Sequence, residues 1–143
     1  PAQLELEITE SAVMQNLEEA KAIMRSLKEL GIKLAIDDFG TGYSSLSNLQ
    51  HFPLDRIKID QSFIRGIVTS DHVREITLTI INMAKRLNLE VIAEGVESES
   101  QLTCLDQYGC DEFQGYYFSH PLPAEELASL LHERHPFSSE LLY

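Results

Sequence analysis

Between Leu4 and Phe118 the sequence alternates short strand-like runs with stretches long enough for a helix, and this alternation limits the fold more than any other feature. Leu4-Glu5-Leu6-Glu7-Ile8 switches between apolar and acidic residues at every step, the period of a strand with one buried face. Arg56-Ile57-Lys58-Ile59-Asp60 does the same, and Ile32–Asp38, Glu90–Val96 and Glu112–Phe118 read as three further strands. Between them the spacing becomes helical. Val13, Met14, Leu17, Ala20, Met24, Leu27 and Leu30 predict one helix stopped by Gly31, and a short helix is expected from about Ser44 to Gln50. Asp71 begins a long amphipathic helix bearing Val73, Ile76, Ile80, Met83, Ala84 and Leu87. Ser98 with Gln101 forms a capping box for the next, ended by Gly109, and a last helix covers Glu125 to His132. Strands joined through helices run parallel, so the fold class is α/β. No sequence repeat beyond the strand–helix unit is apparent.

Each predicted strand carries a polar residue near its C-terminal end, on the face opposite its main apolar residues: Glu7, Asp37, Lys58, Glu94 and Gln114. In a barrel with helices outside, the apolar set packs under the helices and the polar set points inward at the mouth, where (β/α)8 active sites are built. Chance explains one such residue better than five. The second strand adds a further carboxylate, because Asp37-Asp38 runs into Phe39-Gly40-Thr41-Gly42-Tyr43-Ser44-Ser45-Leu46. Two adjacent aspartates repel each other unless a helix N-terminus or a cation offsets the cost. Carboxylates without a His or Cys cluster are hard oxygen ligands suited to Mg²⁺ or Mn²⁺, and a bridging carboxylate such as Asp37 suits two-metal hydrolysis of a phosphodiester.

The net charge of −12 argues against a nucleic-acid groove, while bound metal reverses the local sign and admits an anionic substrate. Asp38-Phe39-Gly40 lacks the companion elements of a kinase, and Gly40-Thr41-Gly42 is not followed by the Lys of a phosphate-binding loop. Cys104 and Cys110 read as half-buried core thiols in a reduced compartment. No run reaches the ~20 apolar residues of a membrane span, so this segment is expected to be cytoplasmic without membrane contact of its own.

The chain resembles the EAL-domain cyclic di-GMP phosphodiesterases along nearly its whole length. The resemblance rests on Leu4-Glu5-Leu6-Glu7-Ile8-Thr9-Glu10-Ser11, Asp37 through Leu46, Ile57-Lys58-Ile59-Asp60, Ala93-Glu94-Gly95-Val96-Glu97 and Gln114-Gly115-Tyr116, in family order. It implies hydrolysis of cyclic di-GMP to linear pGpG in bacterial signalling. It gives Glu7 and Asp37 as ligands of a first metal, with Asp37 bridging, and Asp38 and Glu94 as contributors to a second. By the same resemblance Lys58 holds or activates the attacking water, Glu94 shares in catalysis, and Gln114 lies near substrate and water. Asp60 is a further candidate on the substrate side, and Tyr43, in the Gly-rich loop, is expected to contact either substrate or a partner subunit. Glu10 is implied to anchor the Gly40-Thr41-Gly42 loop, which couples metal binding to dimerisation, with Glu97 as a supporting carboxylate.

The family's Glu-Ala-Leu motif and an Asn ligand from a later strand have no counterpart here. The reading is therefore a partial TIM-type barrel holding about the last five strand–helix units, with an incomplete two-metal site. Residues 1–135 are expected to be the C-terminal portion of the domain and residues 136–143 a tail. The parent protein is expected to be an active homodimer behind an upstream sensory or regulatory domain, and this chain alone inactive. The competing expectation is a non-catalytic cyclic di-GMP receptor or interaction module.

Overall fold

Ile36, Ile57, Ile59, Val91 and Ala93 are all buried, and within β3 and β4, where two of them share a strand, they lie two residues apart on the helix-facing side. That spacing gives the sheet one apolar face, which the helices cover. The computed structural model describes residues 3–41, 49 and 51–132. Strands β1 (Glu5–Thr9), β2 (Lys33–Phe39), β3 (Arg56–Ile59), β4 (Glu90–Glu94) and β5 (Glu112–Gln114) form one sheet in sequence order. Every neighbouring pair is parallel. Helices α1 (Glu10–Gln15), α2 (Leu17–Glu29), α3 (Gln61–Gly66), α4 (Asp71–Arg86), α5 (Glu99–Gln107) and α6 (Ala124–His132) complete the described elements. Sequential parallel strands with helices on one face are consecutive units of a (β/α)8 barrel, left open at β1 and β5 among the described residues.

The main core joins the sheet's outer face to Ile64, Ile80, Ile81, Ala84 and Leu105 of the helices. A second cluster gathers Val13, Met24, Leu34 and Phe52, with Ile8, Leu17 and Leu27 against it. Leu49 is buried in the main core, and the rest of the short helix expected at 44–50 lies outside the described residues, as do Gly42, Tyr43 and the expected tail at 136–143. Among the described residues no helix is long and apolar enough to cross a membrane.

Several expectations need correction. The helix expected from Val13 to Leu30 is two helices, because Asn16 leaves helical geometry (φ −150°, ψ 89°) and its side chain caps α2 by accepting from Glu19 N at 3.3 Å. Asparagine competes for backbone N–H groups and favours such breaks. Leu30, at the end of the stripe, is 63% exposed and not core. A helix not foreseen, α3, starts where the Asp60 side chain accepts from Ser62 N at 3.0 Å. It is too short to show a period in sequence.

The fifth strand stops at Gln114 instead of reaching Phe118, and β4 stops before Val96. After Gly95 (φ +73°) the chains separate and cross: Val96 N–H donates to Gln114 O at 3.1 Å and Tyr117 N–H donates to Val96 O at 2.9 Å. Gly115 permits that crossing, since a Cβ there would sit 2.2 Å from Val96 O. Gly115→Ala in the intact domain is expected to cost about 2–3 kcal/mol, read from urea unfolding midpoints; an unchanged midpoint would mean the crossing relaxes freely.

Both cysteines are free, Cys110 buried and Cys104 partly so. Burial pushes the Cys110 thiol up to about 12, with the Glu112 backbone and nearby charges secondary. At pH ~8 the Cys110 thiolate is then scarce, so iodoacetamide should modify Cys104 first and Cys110 only after denaturant is added. Equal labelling of both in the folded protein would contradict this packing.

Candidate active site

The sheet register decides which side chains meet. Glu7 lies beside Ala35, Ala35 beside Arg56, Lys58 beside Ile92, and Glu94 beside Gln114. Paired residues of adjacent strands share a face, and residues two apart within a strand share it too. Glu7, Asp37, Lys58, Glu94 and Gln114 therefore all project from the face away from the helices, at the C-terminal ends of their strands.

Lys58 is the centre of this group. It is 4% exposed, and its Nζ lies 2.7 Å from Glu7 Oε1, 2.7 Å from Glu94 Oε1 and 3.5 Å from Asp37 Oδ1. Burial alone would favour the neutral amine, but the hydrogen bonds to Glu7 and Glu94 and the charges of Glu94 and Asp37 outweigh it and hold Lys58 above the ordinary lysine value. Lys58 is an ammonium at neutral pH. Burial raises Glu94 above the usual carboxylate range, and the Lys58 hydrogen bond and charge only partly oppose it. A further positive charge next to Glu94 would thus favour its ionised form.

Asp38 follows in the left-handed region (φ +54°), and its N–H donates to Asp37 Oδ1 at 3.0 Å. Such a backbone is uncommon for a residue other than glycine, and here it places the second carboxylate beside the first. One oxygen each from Asp37, Asp38 and Glu94 lies within 4.8 Å of the other two. With Glu7, four carboxylates gather at this rim among the described residues, and three of them pair with the Lys58 ammonium. That donor set is hard, negative and only partly neutralised, which fits a divalent cation bound through oxygen.

The loop after β2 is tied from below. Glu10 is 2% exposed, and its Oε2 accepts from Gly40 N–H at 3.1 Å. Thr41 Oγ1 donates to Asp38 O at 2.9 Å and Thr41 N–H to the same oxygen at 3.3 Å. Gly40 (φ +97°) is packed so that a Cβ would lie 2.8 Å from the Phe63 ring, fixing the loop against α3.

The remaining candidates are dispersed. Asp60 caps α3. Glu97 is exposed, its backbone N–H donating to Gln101 Oε1 at 2.8 Å, and the structure does not bring its carboxylate into the group around Lys58. Gln114 is exposed and borders an open cleft of 390 Å³ whose walls include Tyr116, Ser119, His120 and Leu127. Tyr43 lies outside the described residues. Sequence reasoning passed over Arg56, which the same alternation places on the inward face, two residues below Lys58. Its guanidinium reaches Glu5, Glu90 and Glu112, joining strands β1, β3, β4 and β5 at the end remote from Lys58.

Comparison with known proteins shows what the whole chain is similar to. The EAL domain family profile matches residues 1–121. Over 128 residues the chain is 50% identical to the cyclic di-GMP phosphodiesterase NbdA of Pseudomonas aeruginosa, covering 90% of this chain and 16% of that protein. The solved structure of PaMucR phosphodiesterase in complex with c-di-GMP superposes with a TM-score of 0.86 at 40% identity, covering 89% of this chain and 51% of that one. The manganese/cy-diGMP complex of Klebsiella pneumoniae BlrP1 superposes with a TM-score of 0.79 at 38% identity, covering 85% and 31%. The chain thus spans about a fifth of the length of the curated relatives it matches.

Proposed function

The chain belongs to the EAL domain family, and from that membership we propose that the protein containing it hydrolyses cyclic di-GMP to linear pGpG with the help of divalent cations. One observation carries the proposal: a buried ammonium, Lys58, held 2.7 Å from two carboxylates at the strand ends, with Asp37 and Asp38 alongside. A buried ion pair alone would be weak support, but more carboxylates than cations at a barrel mouth is the arrangement metal-assisted phosphodiester cleavage requires.

Glu7, Asp37, Asp38 and Glu94 would hold Mg²⁺ or Mn²⁺, completed by ligands from the rest of the domain. When bound, such cations neutralise phosphate charge and make water acidic enough to supply hydroxide near neutral pH. Lys58 orients the attacking water through its ammonium and stabilises negative charge gathering on the phosphoryl oxygens. The water oxygen attacks phosphorus, the bond from phosphorus to the 3′-oxygen breaks, and the water's proton is released as the leaving oxygen gains one. Glu94 keeps Lys58 charged and aimed. Gln114 positions substrate from the open side of the site, with Asp60 and Tyr43 as further substrate-side residues. Residues 1–135 form the C-terminal part of this domain and residues 136–143 a tail; a homodimer, an upstream regulatory domain and a cytoplasmic setting complete the proposal.

Glu10 links the loop to the site, because losing its carboxylate leaves Gly40 N–H without this acceptor. Glu10→Ala in the intact domain should raise the Mn²⁺ concentration for half-maximal turnover about tenfold and lower the dimer fraction seen by sedimentation. No change in either would remove Glu10 from the account. The function itself is tested by following cyclic di-GMP and pGpG chromatographically with the intact domain, with and without chelator. Chelator-sensitive formation of pGpG is expected. Tight binding without cleavage would establish the receptor reading instead.

A further inference from the structure

Lys28 through Phe39 lies residue for residue on Lys85 through Val96, a repeat that sequence inspection passed over. Gly31 falls on Asn88, both left-handed (φ +80° and +57°), and Asp38 falls on Gly95, again both left-handed (φ +54° and +73°). Asp37 falls on Glu94, so the two strands present their carboxylates at equivalent positions. The following strands match as well: Ile36 pairs with Ile57 and Ala93 pairs with Phe113, which makes Lys58 and Gln114 counterparts.

An aspartate precedes each of these following strands, and the two make the same contacts. Asp55 accepts from Lys28 Nζ at 2.7 Å through both oxygens and from Leu34 N–H at 2.8 Å, while its own N–H donates to Leu34 O at 2.9 Å. Asp111 pairs with Lys85, accepts from Val91 N–H at 2.7 Å, and its own N–H donates to Val91 O at 3.1 Å. Each aspartate therefore fastens the start of the strand carrying Lys58 or Gln114 to the start of the strand carrying Asp37 or Glu94.

Those strands need the fastening. β3 has four residues and its ladder with β2 shifts register between Ile36 and Phe39, while β5 has three residues. A one-residue slip of either would turn Lys58 or Gln114 to the helix side. We propose that Asp55 and Asp111 are paired positioning residues, Asp55 setting where Lys58 meets Glu7 and Glu94 and Asp111 setting where Gln114 meets substrate. The catalytic part of this inference rests on the proposed hydrolysis; the structural part does not.

The test uses the intact, metal-free domain with isotopically labelled lysine and glutamine side chains, so that the Lys58 ammonium and Gln114 amide are each observed by NMR, beside steady-state kinetics with Mn²⁺. Asp55→Ala should shift the Lys58 resonance, leave that of Gln114 in place, and lower kcat about 10- to 100-fold with KM within about twofold. Asp111→Ala should shift Gln114, leave Lys58 in place, and raise KM. Asp55→Asn, which keeps an acceptor for Leu34 N–H, should recover most of kcat. If an alanine variant does not fold, Lys28→Met or Lys85→Met replaces it, with smaller shifts of the same resonance expected. An unmoved Lys58 resonance in the Asp55 series, or both resonances moving together in both series, would overturn the proposal. A wild-type domain that leaves cyclic di-GMP intact contradicts the proposed function, while the resonances still decide the positioning roles.

Discussion

Replacing Asp37 by Asn in the intact domain is expected to lower cyclic di-GMP turnover about 10³-fold with little change in folding. Asparagine keeps the shape and one acceptor oxygen, so the hydrogen bond from Asp38 N–H to that side chain survives. What disappears is a formal charge at the point where Asp38 and Glu94 oxygens come within 4.8 Å of it. A divalent cation there would lose a charged oxygen ligand. Lys58 would lose the weakest of its three carboxylate neighbours, at 3.5 Å, and keep the two at 2.7 Å. The expected pattern is therefore a large loss of kcat beside a nearly unchanged melting temperature. Normal turnover with Asn at position 37 would sink the assignment of Asp37 to the metals.

Lys58→Met should do both kinds of damage. Methionine matches the length of the stem and packs where Lys58 is buried, but Glu7 and Glu94 then face each other without the ammonium. Removing one partner of a fully buried pair costs roughly 3–5 kcal/mol. The Glu7 side chain is 47% exposed and its charge is partly solvated, so about 2 kcal/mol is expected here. Turnover should fall about 10³-fold, as when one preorganised donor is removed from a reacting centre. Added Mn²⁺ should restore more stability to this variant than to the parent, because the cation neutralises the carboxylates that Lys58 had balanced. A variant as stable as the parent without metal would mean that Glu7 and Glu94 are solvated well enough to need no counterion.

Much of this was legible in sequence because strand periodicity fixes faces. Once Ile57 and Ile59 are assigned to the core, Lys58 has to point the other way, and the same reasoning places Glu7, Asp37 and Glu94. The paired motifs in family order then supplied the chemistry. What sequence could not show arises where a single side chain overrides a pattern. Asn16 breaks a helix whose apolar spacing runs through it, because its own amide is a better partner for Glu19 N–H than the helix is. Gly115 ends a strand whose composition suggests continuation, because the backbone of Val96 occupies the space beside it. Asp55 and Asp111 looked like ordinary charged residues before a strand. Their roles depend on Lys28 and Lys85, which are distant in sequence and become neighbours only through the αβ turns. Glu97 shows the opposite limit: its motif is intact, yet its carboxylate is exposed and apart from the group around Lys58.

The partial barrel also explains why the site is proposed for a longer protein. β1 and β5 each pair on one side only among the described residues, and Leu4 (50%) and Tyr116 (57%), near those edges, are exposed. Apolar side chains beside open parallel edges are stable partners for further strands and poor partners for water.

The most direct test of the account is cyclic di-GMP hydrolysis with Mn²⁺ by this chain and by a chain extended through the rest of the barrel, each also assayed with chelator. Formation of pGpG by the extended chain, abolished by chelator and absent from the short chain, is the predicted result. No hydrolysis by either, with metal present and the extended chain folded, would contradict it.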